Sequence, residues 1–139
     1  MMVALETLVY LLVGLVVMMI GYFVIDLLIP VDFPKEIREG NKAVGWVSAG
    51  IYAALGYIIR SAIISFELSE QQELLGGVIS TVMFAGLGIV AMIIGYFLVD
   101  LVNREFNFGN ELKEKNEAAG IMIFGIFMGV AFIVSGVIQ

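Results

Sequence analysis

The chain has 139 residues, of which 61% are hydrophobic and 14% are charged. Soluble globular domains contain about 45–50% apolar and about 25% charged residues, so this composition indicates a membrane protein. Neither cysteine nor histidine occurs, which excludes disulfides, thiolate and imidazole chemistry and the usual zinc and haem ligands. The formal charge of −6 argues against nucleic acid or anionic lipid as a partner, although in a membrane protein the placement of charges matters more than their sum. No cofactor-binding motif is found.

Four nearly uninterrupted apolar stretches follow one another along the chain, at residues 8–29, 43–66, 74–102 and 118–138. About 20 consecutive apolar residues are enough for a helix to span the hydrocarbon core of a bilayer. The first stretch lacks the positive start and the cleavage site of a signal peptide, so we expect it to be retained. The sequence therefore predicts an all-α membrane protein with four transmembrane helices.

The basic residues are concentrated in the segments that follow the first and third apolar stretches. Six of the seven lie there: Lys35, Arg38, Lys42, Arg104, Lys113 and Lys115. On the other side the segments outside the spans carry acidic residues and no basic ones: Glu6, Glu67, Glu70 and Glu73. The positive-inside rule then places both basic loops in the cytoplasm, so we expect an inner-membrane protein with both termini outside.

Proline and asparagine mark helix ends in these loops. Pro30 and Pro34 prevent the first helix from continuing, because proline cannot donate a backbone hydrogen bond. Asn41 and Asn116 occupy the N-cap positions ahead of the second and fourth apolar stretches. Both loops are therefore expected to be short and ordered.

The two halves of the chain resemble each other. Residues 21–27, Gly-Tyr-Phe-Val-Ile-Asp-Leu, align with residues 95–101, Gly-Tyr-Phe-Leu-Val-Asp-Leu, and five of the seven positions are identical. After a one-residue insertion the match continues through Glu39 and Glu114, Asn41 and Asn116, Ala43 and Ala118, Gly45 and Gly120, and Gly50 and Gly125. Residues 1–72 and 73–139 are thus predicted to be two tandem helical hairpins of one membrane domain. Since each has two spans, both would enter the bilayer in the same orientation.

The duplicated motif has G-Y-F-x-x-D at the end of the odd spans and E-x-x-E-x-N-x-A-x-G at the start of the even ones. It resembles the motif of the small tandem-repeat inner membrane proteins of the domain-of-unknown-function 350, or YjfL-like, family. The resemblance covers essentially the full length. The resemblance implies a bacterial or archaeal four-helix membrane protein, and it does not imply a particular activity.

Two carboxylates, Asp26 and Asp100, lie at matching positions near the cytoplasmic ends of the first and third spans. An ionisable side chain within a span is a functional candidate, because burying it unpaired costs at least about 3 kcal/mol. Such a pair would serve ion coordination or a proton relay. Alternatively, each Asp lies at headgroup depth. It would there accept hydrogen bonds from the capped start of the next helix, around Asn41 or Asn116, or pair with Arg38 or Lys113.

Four further polar residues complete the candidate ion path: Asn41, Asn116, Glu39 and Glu114. Each half carries them as a Glu-x-Asn element directly ahead of an apolar stretch. Capping of the following helix is the alternative role for this element.

Arg60 is the only basic residue within a span, and its counterpart in the second half is Ser135. It lies in the outer part of the second span. We expect it to extend to the outer interface or to pair with Glu67, in preference to lining an anion path.

Small residues recur at helix-packing intervals. In lipid, such seams let helix backbones approach closely and gain van der Waals contact. The predicted packing residues are Gly45, Ala49, Gly50, Gly120, Gly125 and Gly129. The contacts they serve lie within the chain or between copies of it.

Two functions fit these features. The first is a homo-oligomeric channel or transport component for a small ion, since four helices alone enclose little space. The alternative is a non-catalytic membrane anchor or scaffold whose charged cytoplasmic loops dock a soluble partner. An intramembrane aspartyl hydrolase using Asp26 and Asp100 is disfavoured, because the flanking motif of such proteases is lacking. We therefore predict no enzymatic activity and no metal site.

Overall fold

A computed structural model describes residues 2–67, 73–103, 105 and 107–138. Within them the chain forms helices and no strand. The helices are α1 (Met2–Leu28), α2 (Phe33–Arg38), α3 (Lys42–Glu67), α4 (Leu74–Val102), α5 (Phe108–Lys113) and α6 (Glu117–Ile138). Four of them, α1, α3, α4 and α6, are long and apolar enough to cross a membrane. The predicted all-α class with four spans is confirmed.

The lengths of the four spanning helices suit a bilayer. The 26 residues of α3 extend about 39 Å at 1.5 Å per residue, which exceeds a hydrocarbon core of roughly 30 Å. In lipid a helix satisfies its backbone polar groups internally, so an apolar segment of this length is stable only as a helix. Glu70 and Arg104, assigned above to opposite sides of the bilayer, lie outside the described residues.

The α3 helix lies at the centre of the bundle, where it contacts α1, α4 and α6 and is the most buried of the four spans. It runs parallel to α6, because Ala43 lies beside Gly120 near the helix starts and Ser61 bonds to Ser135 near the ends. The α4 helix contacts α3, α6 and α1, whereas α1 contacts α3 and α4 and is the least buried span. The division into two tandem hairpins stays a prediction.

A close crossing joins α3 and α6. A Cβ added at Gly120 would meet the backbone of Ala43, with the Cα of Ala43 only 2.7 Å away. A Cβ added at Gly50 would lie 3.0 Å from the Cα of Phe124. Since apolar side chains gain little by leaving lipid for protein, van der Waals contacts of this kind supply much of the attraction between membrane helices.

The described residues contain five buried polar side chains, four of them within the spans. Ser48 shares a hydrogen bond of 2.8 Å with Tyr22, and Ser61 shares one of 2.6 Å with Ser135. The Thr81 hydroxyl donates to a carbonyl of its own helix, 2.8 Å away. Around these bonds the interior is filled by aliphatic and aromatic side chains. The interior of the described bundle is therefore apolar, and its buried polar groups are satisfied within the chain.

Candidate functional site

The two short helices lie together at one end of the bundle, where α1 and α4 end and α3 and α6 begin. We call this region, comprising α2, α5 and their connections to the spans, the loop end. Pro30 packs beside Gly109 of α5, with 3.0 Å between the Pro30 Cγ and the position of an added Cβ. The loops were predicted to be ordered, and the structure adds that each contains a helix of six residues.

Each short helix begins with a side-chain cap. The carboxylate of Asp32 accepts a hydrogen bond from the backbone N–H of Lys35 at 3.4 Å. Asn107 occupies the same position before α5, and its side-chain oxygen accepts from the N–H of Asn110 at 3.3 Å. Such caps satisfy backbone donors that have no partner inside the helix. The two short helices therefore begin with the same kind of side-chain cap.

The first residue of each short helix is an aromatic side chain that closes the loop end of the bundle. Phe33 and Phe108 are buried, and each packs against a tyrosine of the preceding span. The ring centroids of Phe33 and Tyr22 are 5.9 Å apart, and those of Phe108 and Tyr96 are 5.6 Å apart. This aromatic core was not predicted from the sequence, although phenylalanine recurs at the matching position of both loops.

Both short helices end in a left-handed residue followed by an asparagine. Gly40 has φ +79° and Lys115 has φ +64°. The backbone N–H of Asn41 then donates to the Glu36 carbonyl five residues back, at 2.9 Å. Asn116 makes the same backbone bond in the second loop, at 3.0 Å. This is the hydrogen-bond pattern of a helix C-terminus that reverses the chain.

The two asparagines cap the spans that follow. The Asn41 Oδ1 accepts from the N–H of Ala43 at 3.0 Å, and its Nδ2 donates to the Glu36 Oε1 at 3.1 Å. Asn116 likewise accepts from the amide two residues on, at 3.2 Å, and donates to the Glu111 Oε1 at 3.2 Å. The carboxylates that serve the asparagines are therefore Glu36 and Glu111.

Glu39 and Glu114, the acidic residues assigned to the same element from the sequence, lie elsewhere. Both are exposed, and they form the C-caps of α2 and α5 through their backbone N–H groups. Their carboxylates project from the loop end.

One bond distinguishes the two caps. Asn41 is 2% exposed, and its Nδ2 also donates to the carbonyl of Leu112 in α5, at 2.7 Å. Asn116 is exposed. Asn41 therefore links the start of α3 to the other short helix and joins the two loops.

The two matching aspartates have different surroundings. The Asp100 Oδ1 accepts a hydrogen bond of 3.0 Å from the backbone N–H of Phe108, at the start of α5. Asp26 is half-buried, with Tyr22 and Asp32 among its electrostatic neighbours. In the described part of the chain Asp26 makes no corresponding hydrogen bond to α2. Asp100 thus accepts from the start of α5, and not from the residues around Asn116 that the sequence suggested, while a role in an ion path stays a prediction.

A groove of about 690 Å³ opens beside α5. Its lining includes four carboxylates, from Asp100, Glu105, Glu111 and Glu114, together with three asparagines. Asp26 does not line it. Among residues that the structure describes, no three Asp or Glu side chains converge closely enough to hold a metal ion. The groove is therefore an open acidic surface.

The predicted packing residues fall into three pairs. Gly50 and Gly120 lie at the crossing of α3 and α6, as described above. Gly45 and Ala49 line a shallow groove beside Trp46, whose Nε1 donates to a carboxylate of α6 at 3.1 Å. A Cβ added at Gly125 or Gly129 would meet no other atom within 4 Å. A role for these outward glycines between copies stays a prediction.

Arg60 is exposed and lines a second groove, which lies between α1 and α3. The side chain of Glu67, its predicted partner, lies outside the described part of the chain. The described surroundings of the Arg60 side chain are therefore the residues that line this groove.

Four apolar spans with a polar loop end define a multi-pass helical membrane protein. The family model described as Domain of Unknown Function (DUF350) matches residues 1–138. The chain belongs to this family, in agreement with the resemblance drawn from its sequence.

Two relatives carry names that agree with this assignment. The UPF0719 transmembrane protein of Aquifex aeolicus (strain VF5) is 26% identical over 124 residues, which are 88% of this chain and 44% of the relative. The UPF0719 transmembrane protein YshE of Bacillus subtilis (strain 168) is 26% identical over 101 residues, 73% of this chain and 69% of the relative. The chain thus spans less than half the length of the Aquifex relative. No solved structure matches the chain significantly.

Proposed function

We propose that the chain is a membrane scaffold that docks a soluble partner at its loop end. The observation that carries this proposal is that three of the six candidate ion-path residues are engaged in hydrogen bonds at helix starts. Asn41 and Asn116 cap α3 and α6, and Asp100 accepts from the start of α5. Side chains held in this way stabilise a defined surface and are not free to bind a passing ion.

The apolar interior supports the same function. A path through one chain would need polar side chains that exchange bonds with an ion or with water. The buried polar side chains described here bond to other groups of the chain, and aromatic rings close the bundle beneath α2 and α5. The spans of a scaffold need only to hold its surface at the membrane.

The charges of the loop end indicate the chemistry of the partner. The first loop balances three acidic with three basic residues, at 30–42. The groove beside α5 carries four carboxylates, of which those of Glu105 and Glu114 belong to exposed residues. A segment rich in Lys and Arg would complement this groove, and the attraction would weaken with salt. The positive-inside rule assigns this side to the cytoplasm.

A binding experiment on the full chain in nanodiscs of zwitterionic lipid tests the proposal. The probe is a fluorescent lysine-rich peptide, and its affinity is measured by anisotropy at several salt concentrations. We expect the variant Glu105→Gln/Glu114→Gln to bind the peptide roughly twofold to thirtyfold more weakly, since each exposed ion pair contributes about 0.2–1 kcal/mol.

Glu39→Gln is the matched control, because Glu39 holds the same C-cap position on α2 outside the groove. It should bind the peptide as the wild type does. Equal affinities for the wild type, the control and the double variant would show that the groove docks nothing basic, and the proposal would then be wrong.

A homo-oligomeric path for a small ion is the second candidate function. The observation in its favour is the pair of outward glycines on α6, Gly125 and Gly129, which leave a surface open to a second copy. Liposomes containing the protein should then pass protons or potassium ions, and Asp26→Asn/Asp100→Asn should abolish the flux. Flux no higher than in protein-free liposomes would reject this function, whereas flux that depends on both aspartates would favour it over docking.

A further inference from the structure

The groove between α1 and α3 has a volume of about 410 Å³. One wall is formed by α1 from Thr7 to Met18, and the other by α3 around Gly56 and Arg60. The lining is otherwise aliphatic, apart from Thr7 and a tyrosine, and glycines of both helices form its floor. Among the described residues that line it, Arg60 is the single charged one.

The length of the groove matches one leaflet of a bilayer. Thr7 and Met18 are eleven residues apart, so the groove extends about 16 Å along α1. Half of a hydrocarbon core of roughly 30 Å is of the same size. The groove therefore extends along a single leaflet, on the side away from the loop end.

The polar groups of the groove lie where lipid headgroups lie. Arg60 is eighteen residues from the start of α3 at Lys42, which places it about 27 Å from the loop end and near the far edge of the hydrocarbon core. Thr7 lies at the same end of α1. Toward the middle of the membrane the lining becomes apolar, with Leu15 and Met18. The groove is thus polar at the headgroup level and apolar toward the middle of the membrane, as a phospholipid is.

The second half of the chain has no opening at the matching place. Thr81, Gly88 and Met92 of α4 align with Thr7, Gly14 and Met18 of α1, and all three are buried. A Cβ added at Gly88 would lie 2.6 Å from a side-chain atom of α3. The same helix face is therefore covered by protein in α4 and uncovered in α1.

The residues that match Arg60 show the same difference. Ser135, which aligns with Arg60, is buried and shares its hydrogen bond with Ser61 of α3. Arg60 instead directs a permanent positive charge toward the open groove. A guanidinium at headgroup depth binds phosphate strongly, because its donors match two phosphate oxygens at once.

We propose that this groove binds one anionic phospholipid of the leaflet away from the loop end. Its phosphate contacts Arg60, and one acyl chain lies over Gly14 and Gly56. The lipid covers the face of α1 that no helix of the described chain covers. The site is separate from the docking surface at the loop end, so either proposal stands without the other.

Native mass spectrometry of the full chain in detergent tests the charge at the site. The probes are phosphatidylglycerol and phosphatidylcholine with identical acyl chains. Both lipids offer a phosphate to Arg60, but the choline ammonium of phosphatidylcholine opposes the charge of the guanidinium. We expect the wild type to bind phosphatidylglycerol up to about fivefold more tightly, since an exposed charge interaction contributes about 0.2–1 kcal/mol. Arg60→Gln should abolish this preference, whereas Arg60→Lys should retain part of it. Equal binding of the two lipids by the wild type, or an unchanged preference in Arg60→Gln, would overturn the proposal.

A second pair of variants tests the groove itself. Gly56 lines the groove, and a Cβ there meets no other atom within 4 Å, so the side chain of Gly56→Leu begins in open space and should occupy the groove. It should weaken the binding of both lipids. Gly129→Leu, at an equally open position on α6, is the control and should leave binding unchanged. If Gly56→Leu instead converts a dimer to a monomer and leaves lipid binding intact, a second copy covers the groove and the proposal is wrong.

Discussion

Replacing Asn41 by alanine should destabilise the protein more than the same change at Asn116. Both residues cap a spanning helix through Oδ1 and both donate to a glutamate. Only Asn41 is buried and donates to the Leu112 carbonyl as well, at 2.7 Å. The pair therefore separates the contribution of a cap from that of the bond between the two loops.

The expected magnitudes follow from these bonds. Loss of an N-cap costs about 1 kcal/mol, which is the whole effect expected for Asn116→Ala. Asn41→Ala also removes the bond to the Leu112 carbonyl, which still accepts from the N–H of Lys115 at 3.1 Å. The loss is therefore that of one net hydrogen bond, about 0.5–1.5 kcal/mol more. Asn41→Asp should cost at least as much as Asn41→Ala, because the new carboxylate would face the Glu36 carboxylate and the Leu112 carbonyl oxygen.

Unfolding by SDS in mixed micelles, followed by circular dichroism, measures these differences in the free energy of unfolding. Hydrogen exchange of the α5 amides provides a second measurement, since Asn41→Ala should lower their protection and Asn116→Ala should not. Equal destabilisation by Asn41→Ala and Asn116→Ala would refute the argument that the bond to Leu112 joins the loops.

Three further predictions use the same unfolding measurement. Gly120→Ala should lower the free energy of unfolding by about 1–3 kcal/mol, because the new Cβ meets the backbone of α3. Gly125→Ala should leave this free energy unchanged or raise it by up to about 1 kcal/mol. Similar values for the two variants would contradict the close crossing. Lys115→Gly should raise the free energy of unfolding by up to about 1 kcal/mol, since φ is +64° there and glycine adopts this conformation freely; a decrease would mean that the lysine side chain stabilises the loop. A double-mutant cycle of Ser61→Ala and Ser135→Ala should give a coupling energy of about 0.6 kcal/mol, the average for hydrogen bonds between membrane helices; a coupling of zero would show that the 2.6 Å contact contributes nothing.

The spans could be predicted from the sequence because apolar length is a property of each segment alone. The third predicted span, 74–102, coincides with α4 (Leu74–Val102), and the predicted start of the fourth lies one residue after that of α6. The first helix begins at Met2, six residues before the predicted span. Glu6 interrupts the apolar pattern there but not the helix, and the Thr7 hydroxyl bonds to the Val3 carbonyl within it.

The partners of the capping asparagines could not be predicted from spacing. Glu39 is closer to Asn41 in the chain, yet Glu36 makes the hydrogen bond. The reason is the positive φ of Gly40, which turns the chain back toward the start of α2. The bond from Asn41 to Leu112 joins residues 71 positions apart. It depends on how the two halves pack, which no local pattern contains.

The two halves of the chain share residues that serve the fold, whereas the two grooves distinguish one half from the other. The shared residues form caps and helix crossings, as Asn41, Asn116 and Gly120 do. An ion path on the axis between the halves would draw on such paired residues, and of these both asparagines and Asp100 are engaged in the fold. The acidic groove beside α5 and the groove with Arg60 each lie on one half. Because a docking surface needs no symmetry, this arrangement favours recognition of a partner and a lipid over conduction along the axis.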